Sequence, residues 1–253
     1  MSRIVSRALA LLAGRIGFRA VKSQPQRRPT TFAVLATLVA VALAGILTAC
    51  GGSSGSTSSS STTTTTSTTE EASCKQVKAP PPKSVSFKAP KQVLKPGEEA
   101  TAVVKTSCGT FEIALDTKRA PKTANSFAFL SEEGFYDNLI FHRVVPGFVI
   151  QGGDPEGTGA GGPGYTVDEK PPPNLAYTKG IVAMAKSSAD PPGRSGSQFF
   201  VVTAPDAGLP PEYALVGKVS KGWAAVARIE ELGTPEETPS QTVLIEKVTI
   251  ERE

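Results

Sequence analysis

Apolar residues are distributed along the chain in three distinct ways. From Phe32 to Ala49 the sequence is almost wholly apolar, and from Gly51 to Ser73 nearly every residue is Gly, Ser or Thr. From Thr101 onward, short apolar runs alternate with polar positions. Ala102 to Thr106, a Cys108-Gly109 turn, and Phe111, Ile113 and Leu115 interleaved with Glu112 and Ala114 predict a hairpin by the period-2 rule. Pro121 opens a segment in which Ala124, Phe127 and Ala128 fall at helical spacing, and Gly134 supplies its stop. The runs Ile140–Val144, Phe148–Gln151, Ile181–Met184, Phe199–Val202 and Ala214–Val219 are bounded by Gly or Pro and too brief for helices, so they read as strands. Ala225, Val226, Ile229 and Leu232 before Gly233 predict a second helix, and alternating Val248 and Ile250 a last strand. About eight strands and two helices in this length predict a mainly β fold: a closed eight-stranded antiparallel barrel capped by two α-helices. Closure removes exposed strand edges and leaves the helices to plug the open ends.

The remaining segments set the domain plan. The 1–50 segment reads as a signal peptide with a lipobox: Arg27 and Arg28 precede the apolar run, which ends in Leu47-Thr48-Ala49-Cys50. This layout resembles the bacterial lipoprotein signal, in which the cysteine is acylated; an uncleaved transmembrane anchor is the alternative, since the run is near bilayer length. Either puts the rest outside the cytoplasm, on the outer face of the cytoplasmic membrane. The leader is long for its class, which is compatible with translation starting later, for example at Val21. Residues 51–97 read as a disordered tether, first Ser/Thr-rich and then Pro/Lys-rich, because such compositions bury too little apolar surface to offset chain entropy. The globular domain is expected over 98–253.

Charge changes the picture once it is divided by segment. Seven of the 27 Lys/Arg and none of the 23 Asp/Glu lie in residues 1–50, leaving 20 against 23, a net of −3, on the rest. The folded part is not basic, which argues against a nucleic-acid partner. If Cys50 carries lipid, Cys74 and Cys108 remain as an even pair in an oxidising compartment and are expected to form a disulfide, two free thiols being the alternative. With one His and three Cys, no zinc site of usual spacing is expected, and no cofactor is implied. Gly157-Thr158-Gly159-Ala160-Gly161-Gly162 matches G-x-G-x-x-G, yet Pro163-Gly164 follows where a dinucleotide site needs a helix. G-x-S-x-G is matched at Gly51-Gly52-Ser53-Ser54-Gly55, but inside the Gly/Ser/Thr tract, with no strand pattern before it and no helical pattern after it, so no hydrolase elbow is read.

The chemistry concentrates in Phe141–Asp154, FHRVVPGFVIQGGD. Together with Ala120-Pro121-Lys122-Thr123, Ser195-Gly196-Ser197-Gln198-Phe199-Phe200 and Gly217-Lys218-Val219, it resembles the signature of the cyclophilin-type peptidyl-prolyl cis/trans isomerases over about residues 100–253. That family's fold is an eight-stranded barrel with two helices, in agreement with the count from periodicity. The resemblance implies rotation about X-Pro bonds of client proteins, with Arg143, Phe148 and Gln151 as catalytic residues. It places Val149, Phe200 and Leu209 in the proline pocket, Ala185, Lys186 and Gln198 in the peptide groove, and Tyr213 at a further substrate-binding position. Gln151 is expected to orient Arg143 and the substrate. His142, before the arginine, is structural in the family.

The sequence departs from the family pattern at Val149, where methionine is usual, at Lys186, where asparagine is common, and at Gly208 and Tyr213, where human-type members carry tryptophan and histidine. Loss of the indole predicts weak cyclosporin binding. The expected partners are proline-containing segments of proteins folding outside the cytoplasm and, through the lipid, the membrane; the protein is expected to be a monomer. A non-catalytic chaperone or adaptor gripping proline peptides on the same fold is the rival reading.

Overall fold

The tight Cys108-Gly109 turn folds β1 (Ala100–Thr106) back on β2 (Gly109–Leu115) with Thr106 opposite Gly109. In the computed structural model, which describes residues 73–252, this hairpin begins a closed antiparallel barrel. The other staves are β3 (Leu139–Val145), β4 (Val149–Gly152), β6 (Ile181–Met184), β8 (Phe199–Val202), β9 (Leu215–Lys221) and β10 (Leu244–Arg252), in the order β1-β10-β3-β4-β8-β6-β9-β2. A separate two-stranded ribbon, β5 (Val167–Asp168) with β7 (Arg194–Ser195), was not foreseen, because two-residue strands carry no period. Helices α1 (Pro121–Glu132) and α2 (Trp223–Glu230) complete the domain. The leader with Cys50 and the Ser/Thr tract up to residue 72 lie outside the described residues.

Alternation along the strands sorts the apolar residues into two clusters. Phe111, Ile113, Phe141, Ile150, Met184, Phe199 and Val201 join Phe127 and Leu130 of α1 and Val226 and Ile229 of α2 in the barrel core. Their neighbours Val149, Ala183, Phe200, Val202 and Leu215 point the other way and form a second, smaller cluster. The barrel is therefore filled, and the second cluster makes the floor of a site on its outer surface.

Helix α1 has Pro121 in its first turn and no side-chain cap from its own Ncap residue. Two of its orphan donors are met from 46 and 47 residues away: the Glu169 carboxylate accepts from the Lys122 N–H (3.1 Å) and the Thr123 N–H (2.7 Å), and also from the Thr123 hydroxyl (2.6 Å).

The Pro/Lys-rich stretch differs from its reading as tether. Residues 73–97 lie on the domain as an ordered strap. Phe87 packs edge-on against Phe129 at 5.3 Å between ring centroids, and Leu94 is buried. Asn125 of α1 accepts from the Val93 and Leu94 N–H groups at 2.8 and 2.9 Å and donates to the Lys91 carbonyl at 2.9 Å. Composition understates this segment, because a few apolar anchors and one buried amide suffice when the partner surface is already folded.

Cys74 and Cys108 are joined by a disulfide with a sequence separation of 34. Closing a loop of that length restricts the unfolded chain, so the double variant Cys74→Ser, Cys108→Ala is expected to lose about 4 kcal/mol of stability. Thermal melts with and without reductant check this: reductant should lower the melting temperature of the unmodified chain and leave the variant unmoved.

Candidate active site

Two backbone devices place the chemistry. Val145, Pro146, Gly147 and Phe148 form a tight turn in which the Phe148 N–H donates to the Val145 carbonyl at 3.0 Å and Gly147 adopts φ +70°. Proline then glycine suits a type II turn, because only the third position needs positive φ. The second device is a bulge. Phe141 opposes Gly152 while Arg143 opposes Gln151, so His142 is an extra residue in β3. In a regular strand Arg143 would share the face of Phe141, which is fully buried in the barrel core. The extra residue turns Arg143 to the outer face and returns Val144 to the core.

Arg143, Gln151, Phe200 and Ala183 then lie side by side as one rung across β3, β4, β8 and β6. Phe148 comes from the turn, Ala185 and Lys186 follow β6, and Leu209 and Tyr213 come from the β8–β9 loop. Arg143, Phe148, Val149, Gln151, Ala185, Lys186, Phe200, Leu209 and Tyr213 line one cavity of about 170 Å³. That is below the range of about 300–1,000 Å³ for drug-sized ligands and fits a single small ring. Gln198 lines an adjoining open groove of about 770 Å³, whose walls include residues 159–166 and which shares Gln151, Ala185 and Lys186 with the cavity. The glycine-rich run 157–162 is thus loop, and most of it borders this groove.

The walls are held by specific bonds. The Arg143 guanidinium lies 5.9 Å from the centre of the Phe148 ring, and its Nε donates to Glu237 Oε2 at 2.7 Å. Gln151 does not hold the arginine as expected: its Nε2 donates to Gln198 Oε1 at 3.0 Å and lies 3.5 Å from His142 Nε2. Opposite Arg143, the Tyr177 hydroxyl donates to the Tyr213 carbonyl at 2.6 Å and accepts from the Tyr213 N–H at 2.9 Å. Burial pushes the Tyr177 pKa up to about 12, so this hydroxyl keeps its proton at any ordinary pH. The Lys186 side chain is only 6% exposed; its ammonium sits 3.4 Å from Glu212, 3.2 Å from the Asp190 carbonyl and 5.6 Å from the centre of the Tyr213 ring.

His142 is pushed below the usual histidine pKa, chiefly by burial, and its Nδ1 is buried without a partner. At neutral pH it is an uncharged strand residue beside the site.

Glu237 has no sequence signal. It stands 94 residues from Arg143, in a Glu-Glu-Thr-Pro loop that reads as solvated surface. Yet it occupies the left-handed region at φ +63°, which is uncommon for a non-glycine residue, and its carbonyl accepts the Val144 N–H at 2.8 Å. Backbone and side chain together fix the strand and the guanidinium that it carries. Glu237→Ala is expected to lower kcat/KM for peptide isomerisation about tenfold by loosening Arg143, with kcat falling more than KM rises. Glu237→Gln, which keeps an acceptor, should restore most of it.

Comparison with known proteins agrees with this geometry. A family model described as cyclophilin type peptidyl-prolyl cis-trans isomerase/CLD matches residues 101–250. A peptidyl-prolyl cis-trans isomerase-like 1 of Neurospora crassa is 39% identical over 155 residues, 59% of this chain and 93% of that protein. A peptidyl-prolyl cis-trans isomerase B of Streptomyces anulatus is 38% identical over 174 residues, 61% of this chain and 98% of that protein. The crystal structure of a cyclophilin-type isomerase from Cryptosporidium parvum, determined in the presence of the dipeptide Ala-Pro, superposes with a TM-score of 0.56 at 34% identity, covering 60% of this chain and 99% of that one.

Proposed function

The chain belongs to the cyclophilin-type peptidyl-prolyl cis-trans isomerases, and from that premise we propose that it accelerates X-Pro rotation in proteins folding outside the cytoplasm, held at the membrane by lipid on Cys50. The observation that carries the reading of the site is the convergence of a guanidinium, an amide and a greasy wall on one cavity of about 170 Å³.

Amide resonance opposes the rotation with a barrier of about 18–20 kcal/mol, and no bond has to be broken. In the twisted state the imide nitrogen recovers its lone pair and can accept a hydrogen bond. Phe148, Val149, Phe200 and Leu209 hold the proline ring. With Nε bound to Glu237, the guanidinium has its remaining N–H groups for that nitrogen, so Arg143 binds the twisted state better than either planar one. Gln151, tied to Gln198, grips the flanking backbone, and Ala185 and Lys186 form the opposite side of the groove. His142 takes no part in proton transfer, since none is needed.

The proposal includes a monomer, a reading supported by Val85 being the sole exposed large hydrophobic among the described residues. Two measurements test the proposal. The full chain should turn over a proline tetrapeptide, and absence of any rate above background would favour a non-catalytic binding module. Metabolic labelling with a fatty-acid analogue should mark the chain, whereas Cys50→Ala should abolish both label and membrane sedimentation; an unlabelled wild type sinks the lipid anchor.

Cyclosporin is expected to inhibit weakly. Gly208, at φ +62°, has open space where a Cβ would project, so nothing replaces the indole that human-type members carry there. Tight inhibition in the peptide assay would refute this.

A further inference from the structure

The loop joining β4 to β5 contains Gly157, Gly159, Gly161, Gly162 and Gly164, and a chain so rich in glycine has much conformational freedom to lose. It nonetheless forms a wall of the larger groove. Its two ends are pinned by the N-terminal strap. The Lys83 N–H donates to the Pro155 carbonyl at 2.8 Å, and the Phe87 N–H donates to the Pro163 carbonyl at 2.8 Å. Between those bonds Ser86 lies so close over Gly164 that a Cβ there would strike its hydroxyl, and Phe87 is seated on Phe129 and Phe135. From the pinned loop a polar chain runs to the catalytic rung: Gln198 Nε2 donates to the Gly161 carbonyl at 3.0 Å and Gln198 Oε1 accepts from Gln151.

We propose that strap residues 83–87 are a positioning element of the enzyme, fixing the 155–164 loop and thereby setting which residues flanking the proline the larger groove admits. The inference rests on the reading above that this groove takes the peptide. It assigns to a segment outside the barrel a part in substrate selection, and it makes the stretch leading back to the N-terminal leader part of the specificity machinery.

The test uses the full chain. Lys83→Pro deletes the N–H that holds Pro155 together with the side chain, whose ammonium donates to the Phe135 and Asp137 carbonyls; Lys83→Ala loses the same side-chain bonds but keeps that N–H, so the difference between the two isolates the bond to the loop. The first readout is amide hydrogen exchange of residues 157–164, which needs no activity. The second is the ratio of kcat/KM between proline peptides with small and with bulky flanking residues. Lys83→Pro should speed exchange in the loop and change the ratio about fivefold, with the small-flank peptide turned over within about twofold of wild type; Lys83→Ala, which keeps the N–H to Pro155, should change both clearly less than Lys83→Pro does. Phe87→Ala, which unseats the strap by a different route, should behave as Lys83→Pro does. An unchanged ratio in both strap variants overturns the proposal, whether or not exchange rises. An unmodified chain inactive on every peptide would instead sink the isomerase reading, while the exchange comparison would still show whether the strap holds the loop.

Discussion

Arg143→Ala is expected to lower kcat/KM on a proline tetrapeptide by about 10²–10³-fold, by analogy with the loss when one oxyanion-hole donor is removed. Its melting temperature should barely move. The ion pair it forms with Glu237 joins side chains that are 33% and 50% exposed, and exposed pairs contribute about 0–1 kcal/mol. Catalysis and stability therefore separate at this residue, so an activity loss cannot be blamed on unfolding. Arg143→Lys sharpens the test. It keeps the charge but replaces the planar fork with a single ammonium, which cannot donate to Glu237 from Nε and to an imide nitrogen from its other N–H groups in the same geometry. Little activity should return. If charge alone were responsible, lysine would restore most of it. A drop of less than about threefold in the alanine variant would remove the donor from the mechanism.

That residue also marks where sequence reading reaches its limit. The barrel strands were legible because alternation or short apolar runs bounded by Gly and Pro are local properties, and the helices because Pro121 with Gly134, and Gly233, punctuate a 3.6-residue period. Arg143, Phe148, Val149 and Gln151 were legible in the FHR…F…QGG motif, and Phe200, Leu209 and Tyr213 through the family resemblance that it carries; the structure brings all seven to one cavity. What makes Arg143 face outward was not legible. By strict period 2 it would share the side of Phe141, and only the bulge at His142 separates a core phenylalanine from a site arginine two positions later. Nor was the Glu237 contact, since a carboxylate in a surface loop looks the same whether or not a guanidinium lies beside it. The strap and the Glu169 cap on α1 fail for the same reason: each is a long-range pairing of groups that carry no local pattern.

Adjacent strand positions give the second large effect. Phe199 and Phe200 follow one another in β8 and are both buried, yet one faces the barrel core and the other the site. Phe199 packs edge-to-face against Phe127, Tyr136 and Phe141, with ring centroids 5.4, 5.6 and 5.9 Å apart. Phe199→Ala is therefore expected to cost about 3–5 kcal/mol through lost burial and a residual cavity. For a domain of this size that lowers the melting temperature by roughly 10 °C, a large share of a total stability of about 5–15 kcal/mol. Activity per folded molecule, measured well below the transition, should change far less. Phe148→Ala should do the reverse. Its ring is partly exposed at the cavity mouth beside Arg143, so the melt should shift by only a few degrees while kcat/KM falls about tenfold or more through loss of the wall that holds the proline ring. Denaturant melts and peptide turnover on the two variants would display the division of labour that a filled barrel imposes, with stability inside the staves and chemistry outside. If Phe148→Ala turned over peptide as fast as wild type, the cavity would not be where proline sits.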